Sequence, residues 1–158
     1  RELSPIPWIG LKPLSEELKR RSLRTFDLFL TRLLDRSGGT LPPNFVVTLP
    51  KITAPEQVTA LAAACDAFEY WRGEQGLALK FELMIETTQS IFAADGSVAL
   101  PRLIAEGAGR IVAAHFGTYD YTAACRITAA SPMTKGRQNS HTSGVSPALT
   151  AISGPTPA

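Results

Sequence analysis

Apolar positions along the chain follow two rhythms. Leu18, Leu23, Phe26, Phe29, Leu30, Leu33 and Leu34 recur every three or four residues, which predicts a helix with one apolar face running to about Asp35. Pro13 and then Ser15, Glu16 and Glu17 give it an acidic start, and Gly38-Gly39 ends it. Phe45-Val46-Val47-Thr48-Leu49 is instead short, continuous and rich in β-branched residues, the pattern of a strand buried on both faces. Pro50-Lys51 closes that strand, and Trp8-Ile9-Gly10-Leu11 forms a further short one near the start of the chain.

The same alternation continues. Thr53-Ala54-Pro55-Glu56 reads as a capping box, with the Thr hydroxyl and the Glu carboxylate meeting the first free amides of a helix. That helix runs through Val58, Leu61, Ala62, Cys65 and Phe68 to about Trp71. Leu79 to Glu86 is the next strand, Leu100 to Glu106 a helix, and Arg110 to His115 the last strand. Strands roughly thirty residues apart with helical crossovers are successive βαβ units, so the fold class is α/β. The regular spacing favours a partial eightfold (β/α) TIM barrel of three to four units, although a doubly wound sheet has the same local grammar.

The pattern stops near Ala130. Residues from Ser131 to Ala158 are mostly Ser, Thr, Gly and Pro without apolar period, and are expected to be a disordered tail that leaves His141 exposed to solvent. The domain is therefore expected to occupy residues 1–130, with 131–158 as a low-complexity extension. A length of 158 residues with 44% hydrophobic composition suffices for one ordinary core. The net charge of +2 is small, and the basic residues Lys19, Arg20, Arg21 and Arg24 sit among Glu16, Glu17 and Asp27. This is a solvated helix face, so no nucleic-acid partner is expected. No apolar run approaches the roughly 18 residues that span a bilayer, and no signal peptide is recognisable; the expectation is a cytoplasmic protein without a membrane partner. Cys65 and Cys125 lack metal-type spacing and are expected to be reduced thiols. The chain starts at Arg1 rather than Met and reads as a fragment.

Two acidic motifs carry the candidate chemistry. Leu83-Met84-Ile85-Glu86-Thr87 and His115-Phe116-Gly117-Thr118-Tyr119-Asp120-Tyr121 each end an apolar, strand-like run. Glu86 and Asp120 are thereby offered at the same end of successive strands, the end where α/β barrels keep their active sites. Mg²⁺ commonly takes one or two protein carboxylates and leaves its other positions to water and substrate. The competing structural roles are a lysine-paired carboxylate for Glu86 and a helix N-cap for Asp120. Glu82 shares the strand parity of Glu86, and a buried ion pair with Lys80 or a neighbouring basic residue is its structural alternative.

Taken together, Pro50-Lys51, Met84-Ile85-Glu86-Thr87 and Phe116-Gly117-Thr118-Tyr119-Asp120-Tyr121 resemble the citrate lyase beta subunit and 2-keto-3-deoxy acid aldolase family (HpcH/HpaI type) of the phosphoenolpyruvate/pyruvate barrel superfamily. The resemblance covers residues from about 9 to 130. It implies that Glu86 and Asp120 hold Mg²⁺ (or Mn²⁺) and that the loop from Gly117 through Thr118 and Tyr119 to Asp120 presents backbone amides to a substrate carboxylate. Where family members usually place a substrate-holding arginine, this chain has Lys12.

The implied activity is carbon–carbon bond cleavage or formation on a 2-keto acid or its CoA thioester adduct, through a metal-stabilised enolate. Lys51 and His115 are the catalytic candidates. Lys51 follows a strand end and has either a substrate-contacting or an electrostatic role; His115 is either a general acid/base or a hydrogen-bonded barrel histidine. Of Tyr119 and Tyr121, one is expected on the barrel rim and one on a pocket wall. A mutase or hydrolase of the same superfamily is one alternative, and a catalytically inactive fragment or interaction module is another. The full-length parent is expected to be a homo-oligomer.

Overall fold

The computed structural model describes residues 7–73 and 76–127. The tail expected from Ser131 onward, with His141, lies outside the described residues. Four strands form one parallel sheet in the order β1 (Trp8–Gly10), β2 (Val46–Leu49), β3 (Phe81–Ile85), β4 (Ile111–Phe116). Helix α1 (Lys19–Ser37) joins the first pair, α2 (Pro55–Arg72) the second and α3 (Leu100–Glu106) the third, and α4 (Thr118–Ala124) follows β4. The fold is thus α/β, as the alternating rhythms predicted.

Register decides which side chains face the helices. Val47 stands opposite Phe81, Leu49 opposite Leu83, and Leu83 opposite Ala114. These residues join Phe26, Leu30 and Leu34 of α1, Val58, Leu61, Cys65 and Phe68 of α2, and Leu103 of α3 in one core. A fully buried Leu contributes about 1.5–3 kcal/mol of transfer free energy, and eight or more such side chains on three helices hold the sheet from one side. The alternate positions form the opposite face: Thr48 is registered with Glu82, Glu82 with Ala113, and Met84 with His115. As its continuous pattern predicts, β2 is buried on both faces, with Val46 and Thr48 buried on the side away from that core.

Several local expectations are corrected. The first helix begins at Lys19 rather than at Ser15, since Ser15 to Leu18 form a turn in which the Leu18 amide donates to the Ser15 carbonyl at 3.1 Å. At the start of α2 the cap is supplied by Gln57, not by Thr53 and Glu56. The Gln57 side-chain oxygen accepts from the amides of Thr53 at 2.7 Å and Ala54 at 3.2 Å, because the helix starts one residue later than the box requires. Both α1 and α2 end at glycines in the left-handed conformation, Gly38 (φ 68°) and Gly73 (φ 63°), as helix C-termini favour. Among the described residues no helix is long and apolar enough to cross a membrane. Cys65 and Cys125 are both free thiols, and burial pushes the Cys65 thiol up to about 12, which makes it unreactive.

The N-terminal edge of the sheet is tied by one guanidinium. Arg110 donates to Glu69 Oε1 at 2.8 Å and Oε2 at 2.7 Å, to the Leu79 carbonyl at 2.9 Å, and to Asp66. Glu69 also accepts from the Leu79 amide at 2.5 Å, so α2 is fastened to the entries of both β3 and β4. Burial alone would raise the Glu69 carboxyl, but Arg110 and the Leu79 amide outweigh it and hold it below its usual range. Replacing Arg110 with Met leaves Glu69 without its counter-charge and should cost on the order of 3–5 kcal/mol at neutral pH, read from urea unfolding. A carboxylate with a lowered folded pKa contributes stability above its unfolded value and loses it as pH falls through the folded value. The gap between wild type and Arg110→Met should therefore shrink below the ordinary value of 4.5. A gap that stays constant into acid would contradict this role for the pair.

Candidate active site at the C-terminal edge of the sheet

Glu86, Lys51, Gly117 and Asp120 come together where β2, β3 and β4 end. Glu86 follows β3 directly, and only 2% of it is exposed. Its Oε1 accepts from the backbone amide of Lys51 at 2.8 Å. Lys51 adopts φ 49°, the left-handed region that disfavours a residue with a Cβ by about 1–3 kcal/mol. That strained turn after Pro50 is what aims its amide at the carboxylate.

On the other side, Gly117 leaves β4 and donates its amide to the Ile85 carbonyl at 2.9 Å. A Cβ built on Gly117 would stand 2.8 Å from Glu86 Cβ and 2.9 Å from its Oε2. Only glycine lets the two chains approach so closely. Asp120 lies in the first turn of α4, its carboxylate beside that of Glu86 and ion-paired with the Lys51 ammonium at 2.7 Å.

The electrostatics of the pair are asymmetric. Burial raises the Glu86 carboxyl, with the Lys51 amide opposing and Asp120 reinforcing the shift. The Lys51 ammonium, and then Glu86, hold the Asp120 carboxyl below its usual range. The bond to Asp120 in turn raises Lys51 against the opposing effect of its own desolvation. Both charges of the Lys51–Asp120 pair are about half exposed, so solvent screens much of their attraction. Burial thus moves Glu86 toward its neutral form, whereas Lys51 moves Asp120 toward its charged form. The alternative roles are corrected: the lysine contacts Glu86 through its amide and Asp120 through its ammonium, and Asp120 sits inside the first turn of α4 rather than at its N-cap.

The remaining predicted residues fall into place unevenly. Gly117 does not offer its amide to a ligand, because Ile85 takes it; the amides of Thr118 and Tyr119 open the first turn of α4, where helical geometry provides no internal acceptor. Tyr121 packs on Phe116 with ring centroids 5.0 Å apart, whereas Tyr119 is 91% exposed. Lys12 is exposed beyond the end of β1, and its carbonyl accepts from the Ser22 hydroxyl at 2.7 Å. Glu82 makes no ion pair with Lys80, whose ammonium reaches the Gly109 carbonyl at 3.1 Å. Instead Glu82 accepts the Thr48 hydroxyl at 2.6 Å and lies 3.5 Å from His115 Nδ1. Thr48 was not recognisable from sequence, since a Thr inside a β-branched run looks like any strand residue. Among the described residues, no group of three or more His, Cys, Asp or Glu is arranged to hold a metal ion.

The chain belongs to a protein family described as Domain of unknown function (DUF6986), which matches residues 1–147. The match runs past Ala130, beyond the boundary expected from the loss of apolar pattern. No curated protein matches the chain.

An acid whose folded pKa is raised contributes stability that is fully present below its unfolded value and is lost as pH rises through the folded value. At neutral pH the ionised Glu86 is therefore a cost to the fold. Glu86→Gln keeps an oxygen for the Lys51 amide and gains donors toward Asp120, so thermal unfolding at neutral pH should show this variant at least as stable as wild type. Its advantage should vanish in acid. A clear loss of stability at neutral pH would show that the ionised carboxylate is a structural necessity.

Proposed function

We infer that this chain contributes the metal-holding edge of a (β/α)₈ barrel enzyme that enolises a 2-keto acid, in the manner of the citrate lyase beta subunit and HpcH/HpaI aldolase family. The observation that carries this reading is a carboxylate almost fully withdrawn from solvent at a strand's C-terminal end, in contact with a second carboxylate and held against a glycine where no side chain fits. Proteins keep such costly groups where a cation or reaction uses them. The strand order β1-β2-β3-β4 supports a barrel: it never reverses, whereas a doubly wound sheet has a switch point.

The donors suit Mg²⁺ or Mn²⁺. Glu86 and Asp120 offer only oxygen, and two carboxylates with open positions for water and substrate is a common Mg²⁺ arrangement. When bound, the cation would supply positive charge beside the carboxylate and keto oxygens of the substrate, where negative charge grows on enolisation. Lys51 adds a second positive charge at the same edge, next to Asp120. The amides of Thr118 and Tyr119, in the first turn of α4, would be available to a substrate carboxylate, and His115, on the same face of the sheet as Met84, would move the proton. The carbon–carbon lyase or aldolase reaction, on a free 2-keto acid or an acyl-CoA adduct, follows from this chemistry.

A second reading is an interaction module without catalysis. Val112 and Phe116 of β4 are 55% and 51% exposed, and among the described residues no strand pairs with the outer edge of β4. One pair of measurements separates the two. Titrating Mn²⁺ by electron paramagnetic resonance should show binding that Glu86→Ala or Asp120→Ala abolishes. Exchange of pyruvate methyl protons into deuterated water should require the metal and fall at least about 100-fold in the same variants. Unaltered Mn²⁺ affinity in both variants would refute the metal site, and metal binding without exchange on any 2-keto acid would favour the module.

A further inference from the structure

The face of the sheet turned away from the helices carries a polar chain that runs across three strands. Thr48 of β2 is registered with Glu82 of β3, and Met84, two residues on, with His115 of β4. Only 1% of Thr48 is exposed, and its hydroxyl donates to Glu82 Oε1 at 2.6 Å. The other oxygen, Oε2, faces His115 Nδ1 at 3.5 Å, with the Glu82 side chain 17% and the His115 side chain 41% exposed. A glutamate withdrawn from water, fixed on one side by a buried hydroxyl and turned on the other toward an imidazole, is oriented and does not sample many rotamers.

We propose that Glu82 is a positioning residue for His115: it holds the imidazole as the Nδ1–H tautomer and so leaves Nε2 free to accept a proton. The inference rests on the reading of the C-terminal edge as an enolising site and assigns the acid/base part of that site. Its geometry follows from the register. Glu86 lies two residues beyond Met84, the partner of His115, so the imidazole and the carboxylate pair share one face about 7 Å apart along the strand direction. In the reaction a proton leaves the carbon next to the keto group for His115 Nε2, and the C–H electron pair becomes the enolate double bond; the reverse transfer protonates the enolate. A carboxylate on Nδ1 orients the ring and favours the cationic form produced by that transfer, the role such groups have wherever a histidine serves as base. The 3.5 Å separation is longer than a hydrogen bond, as is common before substrate closes a site.

The tautomer can be measured without substrate. The sequence contains two histidines, so the ¹⁵N spectrum of the full chain has two imidazoles, and His115→Gln assigns them. At alkaline pH, where an imidazole is neutral, His115 should be protonated on Nδ1 rather than show the Nε2–H form that free imidazoles prefer. In Glu82→Gln the amide can donate to Nδ1, and the proton should move to Nε2. Neutral His115 in the Nε2–H form in wild type overturns the proposal, and this holds whether or not the variant folds. In the exchange assay Glu82→Gln should lower kcat about tenfold or more with little change in KM, because acid–base catalysis commonly contributes 10²–10⁴-fold. Unchanged kcat in a variant whose tautomer has switched would also overturn it. Loss of Mn²⁺ binding in the Glu86 and Asp120 variants bears only on the metal site, so the two inferences fail separately.

Discussion

Parallel strands joined in unbroken order require each crossover helix to return on the same side of the sheet, because the connection has one hand. From that constraint the rest of the molecule follows. One face of the sheet receives all the apolar packing, with Val47, Leu49, Phe81 and Leu83 meeting three helices. The other face receives none of it and carries Thr48, Glu82, Met84 and His115. A second layer of helices on that face would have demanded apolar residues at those positions.

The two ends of the sheet are built by opposite means. At the N-terminal edge Arg110, Glu69 and the Leu79 backbone satisfy one another, and the carboxylate there is held in its charged form. At the C-terminal edge Glu86 is buried against its electrostatic preference, Lys51 adopts a strained backbone, and Gly117 gives up a side chain to let Glu86 in. The first arrangement stabilises, while the second costs free energy that the core must offset.

The local grammar of the chain was largely legible. Four strands and the first three helices lie within a few residues of where periodicity placed them, because the alternation of β-branched runs with helical spacing is strong and glycines mark the helix ends. The misses have physical causes. Helix α4 begins at Thr118, inside the stretch Gly117 to Asp120 read as a loop, because a seven-residue segment with two tyrosines carries little helical signal. The cap of α2 fell to Gln57 because a glutamine can accept from two amides at once, so the better match to a written motif lost to the better geometry.

For the site, sequence alone determined which residues were available and at which end of the strands they would stand: Glu86, Asp120, Lys51 and the Gly117 turn. Their chemistry is local and their spacing follows strand ends. Tertiary structure decided how they pair. That the amide of Lys51, not its ammonium, meets Glu86, and that the ammonium reaches Asp120, depends on a left-handed turn that no pattern of residue types encodes. The contact of Thr48, Glu82 and His115 joins residues 34 and 33 positions apart, and only the register of three strands brings such distant residues onto one face. Burial then sets which carboxylate is shifted toward its neutral form, because desolvation is a property of the assembled fold and not of the chain.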